Sequence, residues 1–278
     1  MRTFTIITPL TISLYLAAHA AAERSWFDDD ALAISAELRP IAPEPHPYTT
    51  EPGRVMLEFT PIDYAYDRRN PEGENRRSEA YNVGLLLKFG VRDNLDLQVG
   101  ADVFSWSRER DRDAGERDIS RGFGDLTVRA KLNLWGNDGG ETAGAIMPFL
   151  ILPTATGGVG DPGIRFGAML PTLFEFADGW TFETTPSVAA VRNADNNGYE
   201  AEFTNLVVLS RELTPGLDLF TEFEAAITTE AGDRWTGVAG VGLTIELNSD
   251  TVLEPVFNFG INRAADDYAF SLAIVRRF

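Results

Sequence analysis

The stretch Asp125-Leu126-Thr127-Val128-Arg129-Ala130-Lys131-Leu132-Asn133-Leu134 decides the fold. Its even positions are all aliphatic and its odd positions all polar, a period of two. Only an extended strand turns alternate side chains to opposite faces, so this is a strand between two different environments. The same alternation recurs on both sides. Val55, Leu57 and Phe59 open an earlier strand; Tyr81 to Phe89 and Leu95 to Val103 form the next two. Further strands are predicted at about residues 142–152, 164–176, 180–192, 199–212, 217–229, 235–247, 251–262 and 267–278. The sum is about twelve, an even number.

The connections alternate in length. Long polar links follow the first, third and fifth strands (Asp67 to Ala80, Arg108 to Arg121, Pro153 to Pro162). Tight turns rich in Gly, Asn, Asp and Pro follow the even-numbered strands, as at Arg92-Asp93-Asn94, Gly136 to Gly140, Ala177-Asp178-Gly179, Thr214-Pro215-Gly216 and Asn248-Ser249-Asp250. Short turns at one end and longer loops at the other are the asymmetry of an outer-membrane barrel. Aromatic residues such as Tyr64, Tyr66, Trp106, Trp135, Trp180, Tyr199, Trp235 and Tyr268 gather near strand ends, where interfacial girdles sit. The expected fold is all-β, a single transmembrane antiparallel up-and-down barrel of about twelve strands over residues 53–278. A soluble periplasmic β-sandwich that binds a ligand is the competing architecture, because its outward faces would also be polar.

Ahead of the barrel, Met1-Arg2, the apolar run Phe4 to Ala18 and Ala20-Ala21-Ala22 have the three parts of a secretory signal peptide, residues 1–22. The run is too short for a spanning helix. Residues 23–52 carry prolines at 40, 43, 45, 47 and 52, which forbid regular structure. They read as a tethered segment, periplasmic or directed into the lumen.

Composition removes whole classes of function. With 42 acidic against 24 basic residues, the chain lacks the cationic footprint of a nucleic-acid binder. It has no cysteine, so disulfides, thiolate metal sites and thiol catalysis are absent. The only histidines are His19 and His46, neither within the predicted strands, so a barrel hydrolase with a Ser-His pair has no base. Acid pairs such as Glu200/Glu202 and Glu222/Glu224 could in principle exchange protons, but so many acids are better explained as lumen lining. Gly157 to Gly163 lacks the lysine of a phosphate loop and precedes a strand, which makes it an outer loop. Asp111, Asp113, Glu116 and Asp118 have oxygen ligands suited to calcium. Arg108, Arg110, Arg112 and Arg117 are interleaved with them, so a mixed-charge surface facing lipopolysaccharide is the simpler account. No enzyme, metal or cofactor is expected.

If the aliphatic rows face lipid, the opposite rows face the lumen. The predicted pore lining is Lys88, Asp96, Asp102, Asp125, Arg129, Lys131, Arg165, Glu175, Glu183, Glu200, Glu202, Asp218, Glu222, Glu224, Glu246 and Glu254, with Gln98, Asn133, Asn258 and Arg277. Arg129 and Lys131 are expected to pair with acids across the lumen. Phe220, Leu206 and Val208 fall on the inner face and suggest an apolar solute path or a bulge. Twelve strands lie between barrels filled by side chains and those with an aqueous channel, so a narrow, partly filled pore follows. Its acidity favours cations and neutral solutes over anions.

Thr50-Glu51-Pro52-Gly53-Arg54-Val55-Met56-Leu57-Glu58 and Gly122-Phe123-Gly124-Asp125-Leu126-Thr127-Val128-Arg129-Ala130-Lys131-Leu132-Asn133-Leu134-Trp135-Gly136 together resemble the putative MetA-pathway of phenol degradation family. Weaker matches lie at Pro148 to Pro153 with Thr154 and Gly157 and at the Asp178-Gly179 turn, and the resemblance runs from about Leu38 to Phe278. It implies a Gram-negative outer-membrane, porin-like transporter associated with aromatic-compound breakdown, and no catalytic motif. Expected partners are outer-membrane lipid and lipopolysaccharide, a small solute, and the insertion machinery, which would read the terminal strand Phe270, Leu272, Ile274 and Phe278. A closed barrel with a structural or adhesive role is the alternative function.

Overall fold

The structure, a computed structural model, describes residues 39–68, 75–177, 179–230, 232 and 234–278. The predicted signal peptide and residues 23–38 lie outside the described residues. Fourteen strand segments are present among them: β1 (Val55–Asp67), β2 (Arg76–Arg92), β3 (Leu95–Asp111), β4 (Glu116–Gly122), β5 (Leu126–Trp135), β6 (Thr142–Leu152), β7 (Arg165–Met169), β8 (Thr172–Ala177), β9 (Trp180–Arg192), β10 (Tyr199–Thr214), β11 (Leu217–Thr228), β12 (Thr236–Asn248), β13 (Thr251–Gly260) and β14 (Tyr268–Arg277). Each pairs antiparallel with its neighbours, and β14 returns to β1 along Met56–Arg277 to Tyr66–Tyr268. The sheet is closed. In hydrocarbon an unpaired strand edge would leave backbone amides and carbonyls unsatisfied, and closure removes every edge.

The fourteen segments make twelve staves. β4 and β5 both pair with β3 and form one stave interrupted at 123–125. β7 and β8 both pair with β6 and β9, and form another, broken at Leu170-Pro171 where proline has no amide to give. The break is bridged, because Leu170 N–H donates to Pro186 O (2.9 Å) and Ala145 N–H to Pro171 O (3.0 Å).

Two sequence expectations change. The link predicted at Arg108 to Arg121 is mostly strand, since β3 and β4 form a hairpin with its turn at 112–115, and the link predicted at Asp67 to Ala80 is shorter than expected, since β1 runs to Asp67 and β2 starts at Arg76. This part is polar on both faces, so apolar alternation could not reveal it. Cross-strand charge pairs hold it instead, with Arg76 on Asp111 (3.4 Å) and Arg108 on Glu79. Second, bulges shift the faces, between Phe59 and Ile62 on β1 and at Val103 on β3. Phe104, not Val103, takes the outward place, and Ser105 turns inward and is buried. Pro61 lies in the β1 bulge, where its carbonyl accepts from the Tyr81 hydroxyl at 2.7 Å.

The barrel is inside out relative to a soluble protein. Leu97, Leu132, Leu150, Phe166, Val188, Phe203, Phe223, Val241 and Phe257 are exposed on its outer wall, whereas Lys88, Asp96, Gln98, Lys131 and Asn258 are at most 2% exposed within. An apolar surface spread round the staves from β2 to β14 needs lipid against it. Aromatic rings mark its ends: Tyr268 stacks between Tyr66 and Phe257, and Arg211 lies over Trp180. The tight turns rest on glycines in left-handed backbone, Gly179 (φ 71°) and Gly216 (φ 80°).

Val241 faces outward near the middle of β12. Val241→Arg is expected to destabilise the refolded barrel by about 2–4 kcal/mol in urea titrations in lipid vesicles. A change below about 0.5 kcal/mol would mean that this face does not meet hydrocarbon.

Candidate functional site

The segment Arg39 to Glu51 is a re-entrant hairpin inside the barrel. Its prolines cannot join a ladder, so side chains hold it. Both arms meet at the short-turn end, where Arg39 N–H donates to Glu51 Oε1 (3.0 Å) and Arg39 Nη1 to Thr49 O (3.2 Å). The returning arm is tied to the rim by Thr49 N–H to Asn137 Oδ1 (2.9 Å), Thr50 N–H to Asp96 Oδ2 (3.0 Å) and Asn133 Nδ2 to Pro47 O (3.0 Å). Arg277 clamps it from β14: Nη1 meets Glu51 Oε1 at 2.8 Å and Arg39 O at 2.9 Å, while Nε reaches Asp250 at 3.1 Å.

At the tip stands Glu44. Its Oε1 lies 2.9 Å from Lys88 Nζ and 2.6 Å from Lys131 Nζ, and accepts from Gln98 Nε2 at 3.2 Å. Glu58 Oε2 completes the group, 3.2 Å from Lys88 and accepting the Glu44 amide at 3.2 Å. Lys131 also donates to Tyr48 O at 2.8 Å. Burying one of these charges alone would be prohibitive; each is tolerable because the others are there. Burial alone would raise the Glu44 pKa, but the Lys131 and Lys88 ammonium groups outweigh it and hold the carboxyl well below its usual range. His46, also buried, is pushed well below 6.5 by burial and then by Lys131. Glu44 stands 3.5 Å from its Nε2 and pulls the other way. That carboxylate is already shared by two ammonium groups, so the imidazole stays neutral at pH 7.

Beside the hairpin runs a cavity of about 610 Å³, lined by the inner faces of β5 to β14 and of β1. It extends from Gly179 and Gly216 at the short turns to Ala226 and Ile151 near the other end. Of the predicted residues, Arg129, Arg165, Glu175, Glu183, Glu202, Asp218, Glu222, Glu224, Glu246 and Glu254 line it. Lys88, Asp96 and Lys131 are covered by the hairpin. Lys131 therefore pairs with Glu44 rather than with an acid across the lumen, and Arg165 pairs with Glu202 on the wall at 3.2 Å. Asp125 does not line the cavity. It accepts from the amides of Ala155 (2.9 Å) and Asp161 (3.0 Å), so the glycine-rich loop is pinned over the β4–β5 break. Asp102 packs against Gly124 at the same place. Glu200 accepts from Thr229 Oγ1 at 2.6 Å and stands apart from the cavity. In the candidate calcium cluster, Asp111 instead caps the hairpin turn through the amides of Asp113 and Ala114, both 2.9 Å; among the described residues no three such side chains are grouped to hold a metal.

Sequence reasoning missed Glu44, His46 and Glu51, and the apolar wall of Phe149, Ile151, Met169 and Leu173. On β6 both faces are apolar (Met147 and Phe149 inward, Leu150 outward), so its alternation carries no signal. An isolated acid among prolines, with Lys88 and Lys131 on inward rows of β2 and β5, was the available hint for Glu44.

The family model described as "Putative MetA-pathway of phenol degradation" matches residues 87–278, more than half of the chain. The chain belongs to this family. No curated protein matches it. Among solved structures, the COG4313 outer membrane channel from Pseudomonas putida F1 superposes with a TM-score of 0.67 at 14% identity, covering 86% of this chain and all of that one. The NanC porin gives 0.52 at 6% identity, over 80% and 98%. The β domain of the Bordetella autotransporter BrkA gives 0.51 at 12%, over 82% and 100%. These likenesses concern the fold, that of a bacterial outer-membrane β-barrel.

For this family member, Glu44→Gln is expected to loosen the hairpin by about 3–5 kcal/mol, because two buried ammonium groups lose their carboxylate. Limited proteolysis should then cleave within 39–51, a stretch protected in the wild type; equal protection would refute the role of Glu44. Acidification should act in the same direction. Docking that rests on a depressed Glu44 pKa is present above about 4.5 and lost as pH falls through the lower docked value. His46 takes up a proton only when released, so release gains as pH falls below 6.5. Protease sensitivity should rise between pH 7 and 5, and His46→Gln should flatten that rise.

Proposed function

We propose that the protein is a passive outer-membrane channel for small solutes, passing cations and neutral molecules in preference to anions. The observation that carries this reading is the segregation of charge in the lumen. The basic wall made by Lys88, Lys131 and Arg277 on β2, β5 and β14 is spent on the hairpin, through Glu44 and Glu51. Besides Glu44 and Glu58, which serve those lysines, the remaining cavity is bordered by nine carboxylates, of which Glu202 pairs with Arg165, against the two guanidinium groups of Arg129 and Arg165. A narrow passage of one sign, walled by low-dielectric protein, concentrates the opposite charge. The apolar strip of Phe149, Ile151, Leu206, Val208 and Phe220 beside it suits solutes with a hydrophobic body. The family description, which refers to phenol degradation, and the COG4313 neighbour, described as a channel, agree with uptake of small aromatic compounds.

The reading is non-catalytic. The Nδ1 of His46 accepts the Tyr48 amide at 3.2 Å and its Nε2 faces Glu44, so the one base in the lumen is turned to the hairpin. A second reading, a barrel closed permanently by residues 39–51, is favoured by the ion pairing of Glu44.

Conductance in planar bilayers separates the two. The wild type is expected to give small steps whose reversal potential under a salt gradient is cation-selective. Glu183→Gln combined with Glu224→Gln should move that potential toward zero with the steps retained. Membrane-inserted, heat-modifiable protein without any steps would leave the closed barrel as the function.

A further inference from the structure

The charged ends of β2, β3 and β4 are mixed in sign along the chain, but strand pairing sorts them by face. Glu109 lies opposite Asp118, and Asp111 opposite Glu116, on one face of the sheet. The alternate positions share the other face, where Arg77 is opposite Arg110 and Arg110 opposite Arg117. That second face is the outer wall. It continues the β3 row of Phe104, which is 42% exposed, whereas Ser105 on the opposite row is buried.

The outer face is built in levels. Tyr64, Tyr81, Trp106 and Arg121 are successive cross-strand partners, an aromatic row of the kind that marks the membrane interface. The next level is Tyr66, Glu79, Arg108 and Ile119, and its one acid is spent, since Glu79 pairs with Arg108. Two residues further toward the long-loop end stands the row of Arg77, Arg110 and Arg117. Like charges directly opposite one another destabilise a sheet. Among the described residues no carboxylate forms an ion pair with any of these three guanidinium groups. Arg77 leans over the Tyr66 ring at 5.6 Å, and its Nε is buried without a hydrogen-bond acceptor. In a chain of net charge -18, composition does not account for such a patch. Forked donors without counter-charge, set just beyond an aromatic girdle, fit phosphate, which guanidinium grips through paired hydrogen bonds.

We propose that Arg77, Arg110, Arg117 and Arg121 form a docking site on the outer wall for a phosphorylated glycolipid, the lipid A part of lipopolysaccharide. Its phosphates bridge the arginine row and relieve the repulsion across β2, β3 and β4. Its acyl chains run down the same staves, along Trp106 and Phe104. The site lies outside the lumen and holds whether or not the lumen conducts.

Native mass spectrometry of the refolded full chain in detergent tests it, with diphosphorylated lipid A as probe and the same lipid stripped of phosphate as analogue. Lipid A is expected to stay on the chain as a single adduct, and stripping its phosphates should weaken retention about tenfold. Arg77→Gln, Arg110→Gln and Arg117→Gln combined should weaken it as much, whereas Arg92→Gln, at the short-turn end, should not. Equal retention of the stripped lipid, or an unaffected triple variant, would overturn the site. Should the triple variant fail to refold, the wild type decides, through the stripped lipid and through competition. Inorganic phosphate should displace lipid A poorly; ready displacement would reveal a site for free phosphate and overturn the glycolipid. Paired chains in place of a lipid adduct would assign the face to a second copy and overturn it too.

Discussion

Two ammonium groups, those of Lys88 and Lys131, converge on a single oxygen of Glu44 at 2.9 and 2.6 Å in a space closed to solvent. Neither lysine could sit there without that carboxylate, and the carboxylate could not sit there without them. Because the acid belongs to the segment before the first strand and the bases belong to β2 and β5, the ion cluster is a tertiary contact that joins the N-terminal hairpin to the wall. The rest of the lumen follows from it. The hairpin covers the basic side, sets Glu58 in place, and leaves the acidic inner faces of β9 to β13 bordering what stays open.

The wall itself depends on a different constraint. A sheet in lipid must close, and its two faces then see opposite surroundings. Outward residues gain from hydrocarbon contact and inward residues keep company with charge. The same alternation that would give a soluble sandwich its polar exterior here gives a polar interior, and the exposed Phe, Leu and Val on the staves from β2 round to β14 decide between the two. The breaks at 123–125 and at Leu170-Pro171 and the bulges at Phe59–Ile62 and Val103 are local departures from pairing that leave the closure intact, since bridging hydrogen bonds or a restored register follow each one.

Much of this was legible in the sequence, and the limits have physical causes. β5 was readable because its outward positions are aliphatic and its inward ones polar without exception. The β3–β4 hairpin was not, because it carries charge on both faces. β6 hid its inner row because Met147, Phe149 and Ile151 face a lumen that is itself apolar there. Period two located the strands but could not count residues through a bulge, so Val103 received the place that Phe104 holds. The lumen-lining set held most of the cavity's carboxylates, since alternation alone assigns them. It could not say which charges the hairpin would cover, for Glu44 and Glu51 have no periodicity, and the Lys and Arg they pair with are 44 or more residues away along the chain.

Segregation of charge also explains how one short segment can fill a barrel without sealing it by composition alone. Had Lys88, Lys131 and Arg277 been scattered round the ring, each would have neutralised a nearby glutamate and the hairpin would have found no counter-charge. Gathered on one arc of the ring, from β14 through β2 to β5, they are satisfied by two acids of the hairpin, and the glutamates of β9 to β13 are left with few basic partners. Repulsion among those glutamates is a cost the fold carries in its native state. Natural proteins retain such uncompensated groups where a ligand relieves them.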